Sequence, residues 1–392
     1  METTAAQPMP SRPKIHGGNP HRIPDWIANH PSLREIQDRL PKGYEFELAK
    51  TAWTLVRRKA RRVALQMPEG LLKCAPLISE WLGTVLNTTC VIMSDVVYGA
   101  CCIDDHRAVA LGCDFLVHYG HSCLVPVDTC LIPVLYVFVT LNFDVGALVA
   151  AVRNMNSSTS VVASPSSRVV MMGTIQFVPG IQAAARVLNS QGGSKFEVDR
   201  ASPLSPGEVL GCTSPKVAPD IDAVLFVADG TFHLESMMLQ NRHVREFWRY
   251  DPYMKTMTRA TYNARDIVAG RFRAVQAARK AKTFGLVHGT LGRQGNPAIV
   301  ERLKDLLRQR GKEFILLPVP ELTPQLLEVF SEVDVWIQVA CPRLSIDWAD
   351  EYSKKPLLTP YEAFVALGVA EWDDSPTGYP MDFYSKGGGA WS

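Results

Sequence analysis

The chain has no run of about 20 apolar residues free of polar interruption, so no membrane-spanning helix is read from it. It has no excess of charge of either sign: 41 Lys and Arg face 39 Asp and Glu, a formal net of +2 over 392 residues. That balance gives no basic surface of the kind that grips nucleic acid or an anionic membrane. It has no CxxC pair matched to a second CxxC, so a structural zinc site lacks its usual spacing. The glycine-rich run GTLGRQGN (residues 289–296) lacks the Lys-Ser or Lys-Thr ending of a P-loop and is a weak phosphate signal. Residues 1–22 have no apolar leader core and are rich in Pro, Gly and Thr; they are expected to form a disordered tail. The cytosol is then the expected location. In a reducing cytosol, nine cysteines serve as buried apolar residues, metal ligands or reactive thiols rather than as a disulfide framework.

What is present is a repeat. Three segments pair an aspartate with an apolar run: Asp114 in CDFLVHYGH, Asp222 in IDAVLFVADG and Asp334 in VDVWIQVAC, spaced 108 and 112 residues apart. About 50 residues before each aspartate lies another β-prone run, from Val63, Val169 and Phe284, and a helix-like segment follows each of these. The third helix is the clearest. Asn296 and Pro297 start it, Ile299, Val300, Leu303, Leu306 and Leu307 form its stripe, and Gly311 ends it. A further strand follows, from Cys90, Lys195 and Phe314. Strands apolar on both faces that alternate with helices imply a buried parallel sheet.

The fold class is therefore α/β: three homologous βαβ-type domains with parallel sheets, arranged around a pseudo-threefold axis with a central site at the carboxyl ends of the strands. The expected domains are 23–150 with an N-terminal extension, 151–270 and 271–370, with 371–392 as a C-terminal tail over the surface. Residues 33–40 read as a helix, and the Arg- and Lys-rich stretch 240–283 as a helical insertion between repeats.

Each repeat carries one cysteine among small residues: Cys101 after Gly99-Ala100, Cys212 after Gly211, and Cys341 after Ala340 and before Pro342. A small residue before the thiol lets the backbone approach a bulky inorganic group, and a thiolate in a loop after a strand suits an iron–sulfur ligand. The competing reading is that each is a small buried hydrophobe, as Cys74, Cys90, Cys113, Cys123 and Cys130 are read. Cys102 adjoins Cys101 and points the other way on an extended backbone, so one of the two is expected to bind. Polar residues crowd the same strand ends: Gln66, Glu69, His118, His121, Asp229, His233, His288, Arg293 and Gln294.

The strings VALQMPEGLL, SDVVYGACCIDD, DFLVHYGHSCLVPVDT, LSPGEVLGCTSP, FHLESMM, GTLGRQGNP, VDVWIQVACPRLSIDW and PLLTPYEA closely resemble the diphthamide synthesis family, and the resemblance runs over about residues 23–384. That resemblance implies a [4Fe–4S] cluster held by Cys101, Cys212 and Cys341, and S-adenosylmethionine as co-substrate. It implies transfer of a 3-amino-3-carboxypropyl group to a histidine of translation elongation factor 2. Presence of all three cysteines matches the subunit 1 type of chain. The implied partners are a paralogous subunit 2 and a small iron-binding electron donor. A pocket of Gln66, Glu69, Tyr119 and His121 is expected to take S-adenosylmethionine. Quinolinate synthase, another three-domain enzyme with a three-cysteine cluster, and a non-catalytic support subunit of the same heterodimer are the rival readings.

Overall fold

The structure is a computed structural model that describes residues 22–94, 101–122, 124–156, 159–352 and 354–383. The tail 1–21, Gly99, Ala100, Cys123 and residues 384–392 lie outside that set. The helix expected at 33–40 is α1 (Pro31–Arg39), followed by α2 (Leu48–Arg58).

Each repeat builds one sheet. The first comprises β1 (Arg62–Gln66), β2 (Thr89–Met93), β3 (Phe115–Tyr119) and β4 (Val134–Val137), in the order β2-β1-β3-β4. The second comprises β5 (Arg168–Gly173), β6 (Lys195–Glu197), β7 (Ala223–Val227), β8 (Glu246–Asp251) and β9 (Thr256–Ala260), in the order β6-β5-β7-β8-β9. The third comprises β10 (Thr283–Gly289), β11 (Glu313–Val319), β12 (Val335–Val339) and β13 (Leu357–Leu358), in the order β11-β10-β12-β13. All pairings within these sheets are parallel except β8 with β9. The helices that cross between first and second strands are α3 (Ala75–Leu86), then, after α4 (Asp105–Ala110) of the first repeat, α5 (Val178–Ser190) in the second. Beyond them come α6 (Phe232–Gln240), α7 (Ala264–Ala278), α8 (Pro297–Gln309), α9 (Pro342–Asp347) and α10 (Pro360–Ala366).

The repeated aspartate has a physical role. It stands one residue or so before the third strand of its sheet and ties that strand to the start of the first. Asp114 accepts the amides of Arg61 and Arg62 at 2.9 and 3.1 Å, Asp222 that of Arg168 at 3.1 Å, and Asp334 those of Lys282 and Thr283 at 2.9 and 3.0 Å. The backbone answers in each case, with the aspartate N–H donating to Arg62, Arg168 or Thr283. A carboxylate is the side chain that satisfies two strand-edge amides at once.

Helix α8 shows which term dominates locally. The Asn296 side chain caps it by accepting from the Ala298 amide at 3.0 Å, worth ~1 kcal/mol. Burial of Ile299, Val300, Leu303, Leu306 and Leu307 contributes roughly 10 kcal/mol gross, so the stripe seats the helix and the cap sets where it starts. Gly311, at φ 62°, ends it in the left-handed region.

Two expectations are corrected. Residues 240–283 are not helical throughout: β8 and β9 form an antiparallel hairpin on the second sheet before α7 begins at Ala264. EFWRYD and TMTRA are rich in the aromatic and β-branched residues that strands favour, and this outweighs the Arg and Lys content. The segment from Glu371 does not lie over the surface throughout. Tyr379, Met381 and Phe383 are buried, and Tyr379 bonds the buried Glu362 of α10.

The chain folds as two compact units. One holds the first sheet. The other holds the second and third sheets together with Cys101–Ile103 and Ser122–Pro126.

Candidate functional site

The second unit carries all three candidate cysteines. Each residue is partly exposed. The adjacent Cys102 thiol, burial and the nearby thiols of Cys341 and Cys212 raise the Cys101 pKa well above the usual thiol value. Burial likewise raises Cys212, and Cys341 adds to it. Burial raises Cys341, while the amides of Arg343 and Leu344 and the Arg343 charge pull it back. Three thiols thus lie within electrostatic reach of one another, each costly to ionise without a cation.

The loops that present them are interlocked. The glycine-rich run after β10 seats the first: the Arg293 amide donates to the Cys101 carbonyl at 3.1 Å, and Gln294 Nε2 donates to Cys102 Sγ at 3.3 Å. Gly292, at φ 55°, comes so close that a Cβ there would stand 2.7 Å from Cys102 Cα. This is what the glycine run does here: it admits the backbone of Cys101-Cys102. Leu124 packs against Cys101, Leu210 and Cys212, an apolar cover over two of the thiols.

Gly211 has a different reason from the one expected. A Cβ at this position would meet the Phe232 ring at 2.1 Å, so the residue makes room for an aromatic side chain of the protein. Phe232 in turn carries Arg343, whose guanidinium lies 4.4 Å from the ring centroid. His233, expected at the end of a strand, lies in α6. Ala340 meets a similar constraint, since a Cβ on Gly289 would be 2.7 Å from the Ala340 Cβ. Small residues at both strand ends bring the glycine run and the Cys341 turn together.

Among the described residues, no three His, Cys, Asp or Glu side chains converge as a single metal ion requires. A four-iron cluster distributes its thiolates over different irons and needs wider spacing, with soft sulfur donors throughout. Three mutually sensed thiols, two of them under an apolar cover, fit that donor set.

The four residues expected to bind S-adenosylmethionine fall in the first unit. Gln66 is buried at the end of β1, with Oε1 2.9 Å from His118 Nδ1 and 3.3 Å from the Asp104 amide that donates to it. The rings of His118 and His121 are 5.1 Å apart. Burial lowers His118 well below the usual imidazole value and brings His121 to about 4, so both are neutral near pH 7. His118 Nε2 and His121 Nδ1 are buried without a hydrogen-bond partner. Glu69 is exposed at the start of a 3₁₀ turn. Tyr119 is not brought to these residues. It faces the other side of β3, in the apolar core beside Phe46, because neighbours on a strand alternate in direction.

A model of the diphthamide synthesis protein family matches residues 67–377. The chain is similar to 2-(3-amino-3-carboxypropyl)histidine synthase subunit 1 of Mus musculus, with 47% identity over 96% of this chain and 83% of that one. It is also similar to the same-named protein of Homo sapiens, with 47% identity over 93% and 81%. Among solved structures it resembles Dph2 from Pyrococcus horikoshii with a 4Fe-4S cluster, at TM-score 0.67 and 27% identity over 88% of this chain and 97% of that one. On the extent of the family match and the identity to these relatives, the chain belongs to the diphthamide synthesis protein family.

Proposed function

We propose that the chain is a subunit of the transferase that opens diphthamide synthesis. It moves the 3-amino-3-carboxypropyl group of S-adenosylmethionine to imidazole C2 of a histidine in translation elongation factor 2. The observation that carries this reading is that Cys101 and Cys212 pack against one leucine, Leu124, while Arg343 ties the Cys341 turn to the Cys212 loop. The names of the relatives and the cluster in Pyrococcus Dph2 support it.

Cys101, Cys212 and Cys341 would hold a [4Fe–4S] cluster, the glycine run would seat the first of them, and Leu124 would exclude water from two. Such a cluster, when bound, has one iron open to a small molecule and supplies the single electron that breaks the carbon–sulfur bond. The co-substrate pocket is assigned to Gln66, Glu69 and His121, with Tyr119 packed behind β3. The balance is S-adenosylmethionine plus histidine giving methylthioadenosine, the substituted histidine and one proton. The carbon–carbon bond forms as C2 loses hydrogen, and the electron returns. The partners are a paralogous subunit, a small iron-binding electron donor and the elongation factor itself, all in the cytoplasm.

The test is anaerobic purification with the partner subunit, followed by electron paramagnetic resonance after dithionite reduction. The expected result is a four-iron signal that is lost or altered in Cys101→Ala, Cys212→Ala and Cys341→Ala, and methylthioadenosine on addition of S-adenosylmethionine. A wild-type chain that binds no iron overturns the reading. For the pocket, Gln66→Ala and His121→Ala are expected to weaken S-adenosylmethionine binding about tenfold each, as for loss of ~1.4 kcal/mol. Unchanged affinity in variants of Gln66, Glu69, Tyr119 and His121 alike, read by calorimetry, would remove the assignment.

A further inference from the structure

Arg343 is 1% exposed, yet it is a permanent cation that stands two residues after Cys341. Its guanidinium uses nearly all of its donor fork. Nη1 donates to the carbonyls of Phe232 at 2.8 Å and Gly211 at 3.3 Å. Nη2 donates to Glu235 Oε2 at 2.8 Å, and Nε to Asp347 Oδ2 at 2.8 Å. The plane lies over the Phe232 ring. The Gly211 carbonyl belongs to the residue just before Cys212, so one side chain joins the Cys341 turn to the Cys212 loop. A lysine could supply the charge but not this planar fork.

We propose that Arg343 is a positioning residue of the cluster site: it clamps the Cys212 loop onto the Cys341 turn and keeps one buried positive charge beside both thiols. The clamp rests on geometry alone. The role of the charge rests on the reading that these thiolates hold the cluster. Its bond to the Gly211 carbonyl and its place two residues after Cys341 put the guanidinium charge beside both loops. Glu235 and Asp347 face the same guanidinium with side chains 24% and 16% exposed, and Tyr262 donates to Asp347 at 3.2 Å. The carboxylates are therefore better solvated than the cation.

Two readouts test this on the full chain with its partner. In the metal-free protein, N-ethylmaleimide labelling of Cys101, Cys212 and Cys341 is followed by peptide mass spectrometry. Arg343→Met and Arg343→Lys are expected to speed Cys212 labelling about tenfold or more, the scale for losing the charge-assisted bond that ties Gly211. Cys101, which sits on the glycine run, is expected to stay within about twofold. In the iron-loaded protein, the reduction potential is expected to fall in Arg343→Met and to rise in Glu235→Gln, an opposition of sign that a merely structural role would not produce. Wild-type Cys212 labelling in both Arg343 variants overturns the clamp. Equal potentials in wild type, Arg343→Met and Glu235→Gln overturn the charge. Should Arg343→Met fail to fold, Arg343→Lys and Glu235→Gln carry the same two tests. A chain that takes up no iron refutes the proposed function, while the labelling still decides the clamp.

Discussion

A side chain's neighbours in space decide what its identity means. Gly292 illustrates this. Its φ of 55° and its contact with Cys102 Cα leave no room for a Cβ, so Gly292→Ala is both strained and overpacked. We expect this variant to lose about 1–3 kcal/mol in urea unfolding and to label faster at Cys101, with Gly311→Ala as a control for strain alone, since nothing stands near its Cβ. The candidate cysteines were legible in the sequence because each follows a small residue at a strand end. Arg343 was not, because a lone arginine in ACPRLSIDW is locally unremarkable apart from an aspartate four residues on. Its partners Gly211, Phe232 and Glu235 lie more than 100 residues away. Likewise, Tyr119 was grouped with Gln66 from shared position at strand ends. The pleat sends it to the opposite face, and the sequence alone does not say which face is the core.

The elements follow from local pattern plus one repeated clamp. Asp334 accepts the amides of Thr283 and Lys282, which hold its carboxyl below the ordinary carboxylate range. A carboxyl depressed in the folded state adds stability that is present above its unfolded value and lost as pH falls through the folded one. Asp334→Ala should therefore melt lower than wild type near pH 7, with the gap closing as pH falls through and below the ordinary carboxylate range, as read by circular dichroism across pH. A gap that persists in acid would mean the carboxylate bonds are not its source. The hairpin β8–β9 shows the opposite case for sequence reading. Its Arg and Lys content suggests a helical insertion, yet its aromatic and β-branched residues pair as a hairpin on the second sheet.

In the whole molecule, segments distant in sequence complete one another's cores. Arg271 of α7 pairs with the buried Glu362 of α10 and donates to the Leu357 carbonyl of β13, while Tyr379 from the C-terminal segment bonds the same carboxylate. Removing one partner strands a buried charge, so Arg271→Met should cost ~3–5 kcal/mol in urea unfolding, far more than loss of an exposed pair. A cost below ~1 kcal/mol would show that Glu362 is neutral or solvated. Among the described residues, no helix is long and apolar enough to cross a membrane. By itself, the sequence determined the α/β class, the threefold repetition of strand and helix, and one cysteine per repeat, because periodicity, capping and small-residue punctuation are written in neighbouring positions. Tertiary structure alone decided that Cys101 leaves its own repeat's unit, that Gly211 serves Phe232, and that Arg343 joins two thiol loops. The first and third are contacts across more than 100 residues and the second joins a loop to a later helix, so no local period exists to announce them.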